Sequence, residues 1–285
     1  CEMKKLSWFM LPLLAGTAGV SALAAPKTAD APDLFSFAQG ARILQAPSDA
    51  DMAQMSSSPL NLIDDSTVTD WTGEAGEVSF VFELAETTEL SRIAFDTDGA
   101  MSHDNSAIKD FVVEVSETSA TKGYQEVLSG SLKMKKNGQS FSFKPEERPV
   151  ARWVRLTILS NYGNDYQGFT GFHGYGKQLT AEADMPDLTG KYDGASGWGL
   201  INLTDADEVS GCYEYQAGIF EGRVEGRVLK LDMTERSNDD TKLHGVFQLT
   251  PDGRKLYGLV RNEGHEEFYA SYYSAEKRSG KPNRC

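Results

Sequence analysis

Cysteine and histidine are scarce: 285 residues hold only three cysteines, Cys1, Cys212 and Cys285, and four histidines. That excludes a disulfide-dense scaffold and leaves no Cys/His set with zinc-ligand spacing. Basic side chains are outnumbered, 28 Lys and Arg against 42 Asp and Glu, for a formal net charge of −14. Such a surface disfavours polyanions, so neither nucleic acid nor anionic lipid is expected as a partner. Lys133, Lys135 and Lys136 form a small local basic group, which reads as a solvated hairpin tip. Helical periodicity is nearly absent, and no long apolar run follows residue 20. Catalytic signatures are missing as well: there is no Gly-x-Ser-x-Gly elbow, and His265-Glu266-Glu267 lacks the second histidine of a helical zinc motif. Asp96-Thr97-Asp98-Gly99 is too short for a calcium loop, and Gly171 to Lys177 has Gln178 where a P-loop needs Ser or Thr. An enzyme is not expected.

Lys4 and Lys5, the apolar run Leu6 to Val20, and the small residues Ala22-Leu23-Ala24-Ala25 read as a bacterial export signal spanning 1–25. The run is short of the roughly 20 residues that span a bilayer. Cys1 lies ahead of Met3, the expected start. Leader removal leaves a chain one unit more negative, without an integral membrane segment, and with two cysteines. An even count in an exported chain predicts a Cys212–Cys285 disulfide; two unpaired thiols are the alternative. It would close a loop of about 74 residues, worth on the order of 4 kcal/mol on the chain-entropy argument. The expected location is the periplasm or the secreted fraction.

Residues 26–39, rich in Ala, Pro and Asp, read as a flexible linker. From 40 to 178 short alternating runs predict strands at 78–84, 91–95, 110–115, 124–130, 139–143 and 151–159. In the last, Trp153, Arg155, Thr157 and Leu159 share one face and Val154, Leu156 and Ile158 the other. A second linker spans 179–187. The remainder, 188–285, has seven predicted strands at 199–203, 208–215, 218–224, 227–233, 245–249, 255–261 and 268–273, joined by short turns. That pattern predicts an antiparallel meander of seven or eight strands, a small barrel or sandwich. The fold class is all-β throughout.

The stretch from Ala151 to Gly176, ARWVRLTILSNYGNDYQGFTGFHGYG, ends in a Gly- and aromatic-rich return. It resembles the closing signature of the discoidin (coagulation factor 5/8 type C) family, whose members are galactose-binding-like jelly rolls. Asn61 to Trp71 aligns on that family's Asn-Ala-x-Asp-Gly-Asp-x-x-Thr-x-Trp pattern, and Gly40 to Ser48 resembles its opening strand. The resemblance covers residues 40–178. It implies a jelly-roll sandwich with a recognition role toward a glycan or another cell-envelope component. Many members hold a structural Ca²⁺ in the early loop. Asp64 and Thr69 match that site, Ser66 stands for its second Asp, Asp65 replaces a glycine, and Gly171 occupies the late acidic position. The alternative is a loop held by Asp side chains capping N–H groups.

A sugar site needs an aromatic platform and planar polar groups. Tyr162, Asn164, Asp165 and Tyr166 in one loop, with Met101, His103, Asp104 and Asn105 in another, provide these types; ordinary turn chemistry is the plain alternative. The Trp198, Val209, Gly218 and Gly226 rhythm faintly resembles avidin- and lipocalin-like meanders. Trp198, Tyr213, Phe220 and Tyr257 would then form its core or line a cavity. The expected function is an exported, non-catalytic binding protein. The alternatives are an envelope scaffold that binds a protein partner, and a small-ligand carrier through the C-terminal meander.

Overall fold

The structure is a computed structural model that describes residues 31–47, 57–99, 105–181, 187–195, 197–206, 208–264 and 271–285. The expected leader (1–25), the start of the first linker, most of the second (182–186) and Met101, His103 and Asp104 lie outside them.

The first nine strands are β1 (Arg42–Gln45), β2 (Trp71–Glu74), β3 (Val78–Asp96), β4 (Asp110–Ser116), β5 (Gln125–Ser131), β6 (Gln139–Ser142), β7 (Val150–Ile158), β8 (Tyr166–Phe169) and β9 (Gly171–Gln178). The main sheet runs β1-β3-β7-β4-β5, while β6 and β9 pair with the later part of β3, and β2 pairs with β8. One 19-residue strand therefore replaces the two expected at 78–84 and 91–95. Its first half pairs Val78–Glu83 with β7, and its second half pairs Leu90–Asp96 with β9. The polar middle hid this continuity, because Glu86 and Thr88 point inward and are buried. Aromatic rings fill the space between the layers of this jelly-roll sandwich. Phe82 meets Phe172 at 5.2 Å, and Phe95 meets Phe111 at 4.5 Å. As alternation requires, Val154, Leu156 and Ile158 face this core while Trp153, Arg155 and Thr157 stay partly exposed.

The end of the presumed first linker is part of the core. Leu34, Phe35 and Phe37 are buried, Leu34 N–H donates to the Gly174 carbonyl and Phe37 N–H to that of Ile63. Composition misled there: the Ala, Pro and Asp content masked two phenylalanines, each of which buries a large apolar area.

The last eight strands, β10 (Gly190–Gly194), β11 (Gly199–Asp205), β12 (Val209–Tyr213), β13 (Gly218–Glu225), β14 (Val228–Glu235), β15 (Thr241–Leu249), β16 (Lys255–Asn262) and β17 (Ser271–Arg278), form a closed antiparallel barrel. The strand that closes it, β10, was not among those expected; its Gly-Lys-Tyr-Asp-Gly sequence carries little strand signal. It pairs with β17 from Lys191↔Arg278 to Gly194↔Ala275. Glycine makes room for the rings inside: a Cβ at Gly211 would lie 2.4 Å from the Phe220 ring, and one at Gly245 2.5 Å from Phe247. Cys212 and Cys285 form a disulfide, with Cα atoms 5.7 Å apart.

Sandwich and barrel belong to one compact unit, residues 32–285. β16 is buried on both faces from Leu256 to Val260, and its Tyr257 and Leu259 join the sandwich core. The Tyr257 and Phe37 rings lie 5.5 Å apart. Gln248, fully buried, donates to the carbonyls of Phe37 and Ala41 and accepts from Arg42 Nε. Arg227 reaches Gly40 O at 2.6 Å and Glu83 Oε2 at 3.0 Å. Arg152 approaches the same carboxylate at 3.2 Å and Arg42 at 3.8 Å.

Candidate functional site

The connection from β7 to β8 is a built loop. Asn161 Oδ1 accepts from Gly163 N–H at 2.8 Å, and its Nδ2 donates to the carbonyls of Asn164 and Tyr166. Gly163 has φ +98°, which a β-carbon would strain. Asn164 Oδ1 accepts from Tyr166 N–H, and its Nδ2 donates to Asn105 Oδ1 at 2.9 Å, joining this loop to the β3–β4 connection. Tyr166 exposes 51% of its surface and Asp165 is also exposed.

Tyr162 plays a different part. It is half-buried, its hydroxyl donates to the Leu132 carbonyl at 2.6 Å, and Lys109 Nζ lies 5.8 Å from the ring centroid. Parts of three connections thus meet at one end of the sandwich: 105–109, 132–138 and 160–166. Tyr162, Asn164, Asp165 and Tyr166 share the 160–166 loop, and Lys109 and the Leu132 carbonyl lie against Tyr162. Neither contact has a local sequence signal, since both depend on strand pairing.

A further loop, 64–70, is closed by its own side chains. Asp64, buried, accepts from Ser66 N–H at 2.9 Å and from Thr69 Oγ1 at 2.7 Å. Ser66 Oγ accepts from the N–H groups of Val68 and Thr69. Burial pushes the Asp64 carboxyl up to about 7, against the hydrogen bonds from Thr69 and Ser66, which lower it. The Asp65 carboxylate accepts from Ser36 Oγ instead. Calcium takes about six to eight oxygen donors. Each Asp64 oxygen already accepts one hydrogen bond from within the loop. Among the described residues, no three His, Cys, Asp or Glu side chains form a group suited to a metal.

His173 is held between two carboxylates: Nδ1 is 2.6 Å from Asp33 Oδ2 and Nε2 3.1 Å from Asp96 Oδ2. Burial alone would lower its pKa, but the hydrogen bonds and charges of Asp33 and Asp96 raise it to about 10. With both nitrogens donating, this histidine is a clamp and has no base to offer a substrate.

Inside the barrel, a cavity of about 20 Å³ is bordered by Trp198, Ile201, Phe220, Phe247 and Tyr273, about the room for one water molecule. Trp198 and Tyr213 stack at 4.6 Å, and among the described residues their buried Nε1 and hydroxyl have no hydrogen-bond partner. Trp198, Tyr213 and Phe220 belong to the barrel core, whereas Tyr257 belongs to the sandwich. No helix among the described residues is long and apolar enough to cross a membrane.

Residues 62–178 match the Sad1/UNC-like C-terminal family, of the discoidin/galactose-binding-like fold, over less than half of the chain. No curated protein matches the sequence. Similar solved structures include CpGH89CBM32-5 from Clostridium perfringens in complex with GalNAc-β-1,3-galactose, with 16% identity over 48% of this chain and 96% of that one and a TM-score of 0.41. The family 32 module of C. perfringens NanJ, in complex with galactose, has 15% identity over 48% and 95%, TM-score 0.40. The C-terminal domain of a chitobiase from Bacteroides fragilis has 14% identity over 49% and 95%, TM-score 0.40.

Proposed function

We propose that this is a non-catalytic carbohydrate-binding protein whose recognition site is the loop end of the sandwich, centred on Tyr166, Asn164, Asp165 and Tyr162. The observation that carries the reading is the half-exposed Tyr166 ring, fixed beside Asn164 and Asp165 by a hydrogen-bonded loop. A sugar ring presents an apolar face to an aromatic ring and hydroxyls to amide or carboxylate groups, and pre-formed loops spare the entropy of ordering them. The Cys212–Cys285 disulfide supports an oxidising compartment, either periplasmic or extracellular.

The test is binding of the full chain to a glycan panel and to cell-envelope fractions, repeated with Tyr166→Ala. Saturable binding weakened about tenfold by that substitution is expected, since a stacked ring is worth about that much. Failure to bind any glycan, or binding indifferent to Tyr166, overturns the reading.

A further inference from the structure

We infer that the carbohydrate recognised at this end is anionic, a uronic acid or an equally charged sugar, and that the turn 132–139 reads its charge. This rests on the carbohydrate reading above and adds the ligand class. The chain as a whole is strongly acidic, yet Lys109, Lys133 and Lys136 all lie on connections that meet beside Tyr162. Lys109 Nζ is near the ring itself, and Leu132, whose carbonyl accepts the Tyr162 hydroxyl, directly precedes Lys133. Leu132 N–H also donates to the Lys109 carbonyl.

The turn is built from within and is no loose tip. Gln139 is 8% exposed; its Oε1 accepts from Lys133 N–H, and its Nε2 lies 3.0 Å from Lys133 O and 2.9 Å from Lys136 O. Thr97, 2% exposed, donates its hydroxyl to the Lys133 carbonyl at 2.7 Å, and Asp96 Oδ1 accepts from Gly138 N–H. Two buried side chains thus fix the backbone that carries exposed Lys133 and Lys136. Among the described residues, neither ammonium is in an ion pair. Among the described residues, the carboxylates on or bordering these connections are Asp98, Asp110 and Asp165. Of these, Asp110 already accepts from Ser131 and Ser160, which with Lys109 hold its carboxyl below the usual range. At physiological salt, repulsion from the rest of the acidic surface is screened within about 8 Å, so nearby lysines decide the local preference.

The experiment titrates the full chain with tri-galacturonate and with a neutral galactose trisaccharide, at low and high salt, and repeats both with Lys133→Gln/Lys136→Gln. The expected result is about tenfold tighter binding of the uronate at low salt, a gap that closes with salt and in the double variant. Neutral-sugar binding should stay unchanged. Both substituted residues are exposed, so the wild-type salt dependence serves as a second reading should the variant misfold. Equal binding of both sugars, unaltered by salt or variant, overturns the charge inference and leaves the carbohydrate reading standing. Binding of neither sugar overturns both. Binding of phosphatidylglycerol vesicles without the uronate also overturns it.

Discussion

The Nδ1 of His173 lies 2.6 Å from a carboxylate oxygen of Asp33, 140 residues earlier in the chain. The other Asp33 oxygen accepts from the N–H groups of Phe35 and Gly174. This side chain therefore seats the segment whose Phe37 and Ala41 carbonyls hold Gln248 of the barrel. Replacing His173 with Ala leaves buried Asp96 and partly buried Asp33 without their cation, a loss of roughly 3 kcal/mol.

The same clamp fixes a pH dependence. The folded value for His173, about 10, lies above the ordinary 6.5. Its contribution is complete below about 6.5 and is lost as pH rises through about 10. Asp96 is shifted the other way: burial would raise it, but the His173 and Gly138 hydrogen bonds bring it below 3.8, so its share disappears as pH falls through that lowered value. Urea denaturation should show stability falling between pH 7 and 10 in the wild type and much less in His173→Ala. An equal alkaline slope in both proteins would refute the clamp.

A second prediction concerns Arg227, only 4% exposed and bonded to both the side chain and the backbone of Glu83. Arg227→Ala strands part of that interface and should cost about 3 kcal/mol or more. Calorimetry should give one transition for the wild type and separated sandwich and barrel transitions for the variant. A single transition at an unchanged temperature would show that the contact carries no coupling.

Alternation made the all-β class and most strands legible, because Val154, Leu156 and Ile158 announce their face locally. The sandwich–barrel interface was not legible: Gln248 meets partners 207 and 211 residues away, and an isolated glutamine in a strand looks like a solvent-facing one. The loop Asn161 to Tyr166 could be picked out from its turn residues, yet the two tyrosines differ in role. That difference depends on Leu132, whose carbonyl reaches Tyr162 only after β4 and β5 pair.

Asp64 yields a third prediction. Its folded value, about 7, exceeds 3.8, so its contribution is complete below 3.8 and fades as pH rises to about 7. Asp64→Asn should flatten the decline in stability over that range. Some slope should remain, because burial also raises Asp65. Since both Asp64 oxygens accept hydrogen bonds within the loop, millimolar calcium should leave the melting temperature unchanged. A calcium-dependent rise would mean that the loop rearranges to free them.

The Cys212–Cys285 disulfide ties the end of the chain to β12, helped by Asn283 N–H donating to Asn202 Oδ1 at 2.8 Å. The barrel is already closed upstream of that tail, by the β10–β17 pairing that ends at Arg278. Cys212→Ser/Cys285→Ser should therefore cost about 4 kcal/mol, as expected for opening a loop of this length, while the barrel still forms. Protease should reach residues 279–285 first, and the proposed glycan binding at the sandwich loops should persist. Loss of the far-ultraviolet strand signal on reduction, under conditions where the oxidised protein is folded, would instead make the disulfide a condition of barrel closure.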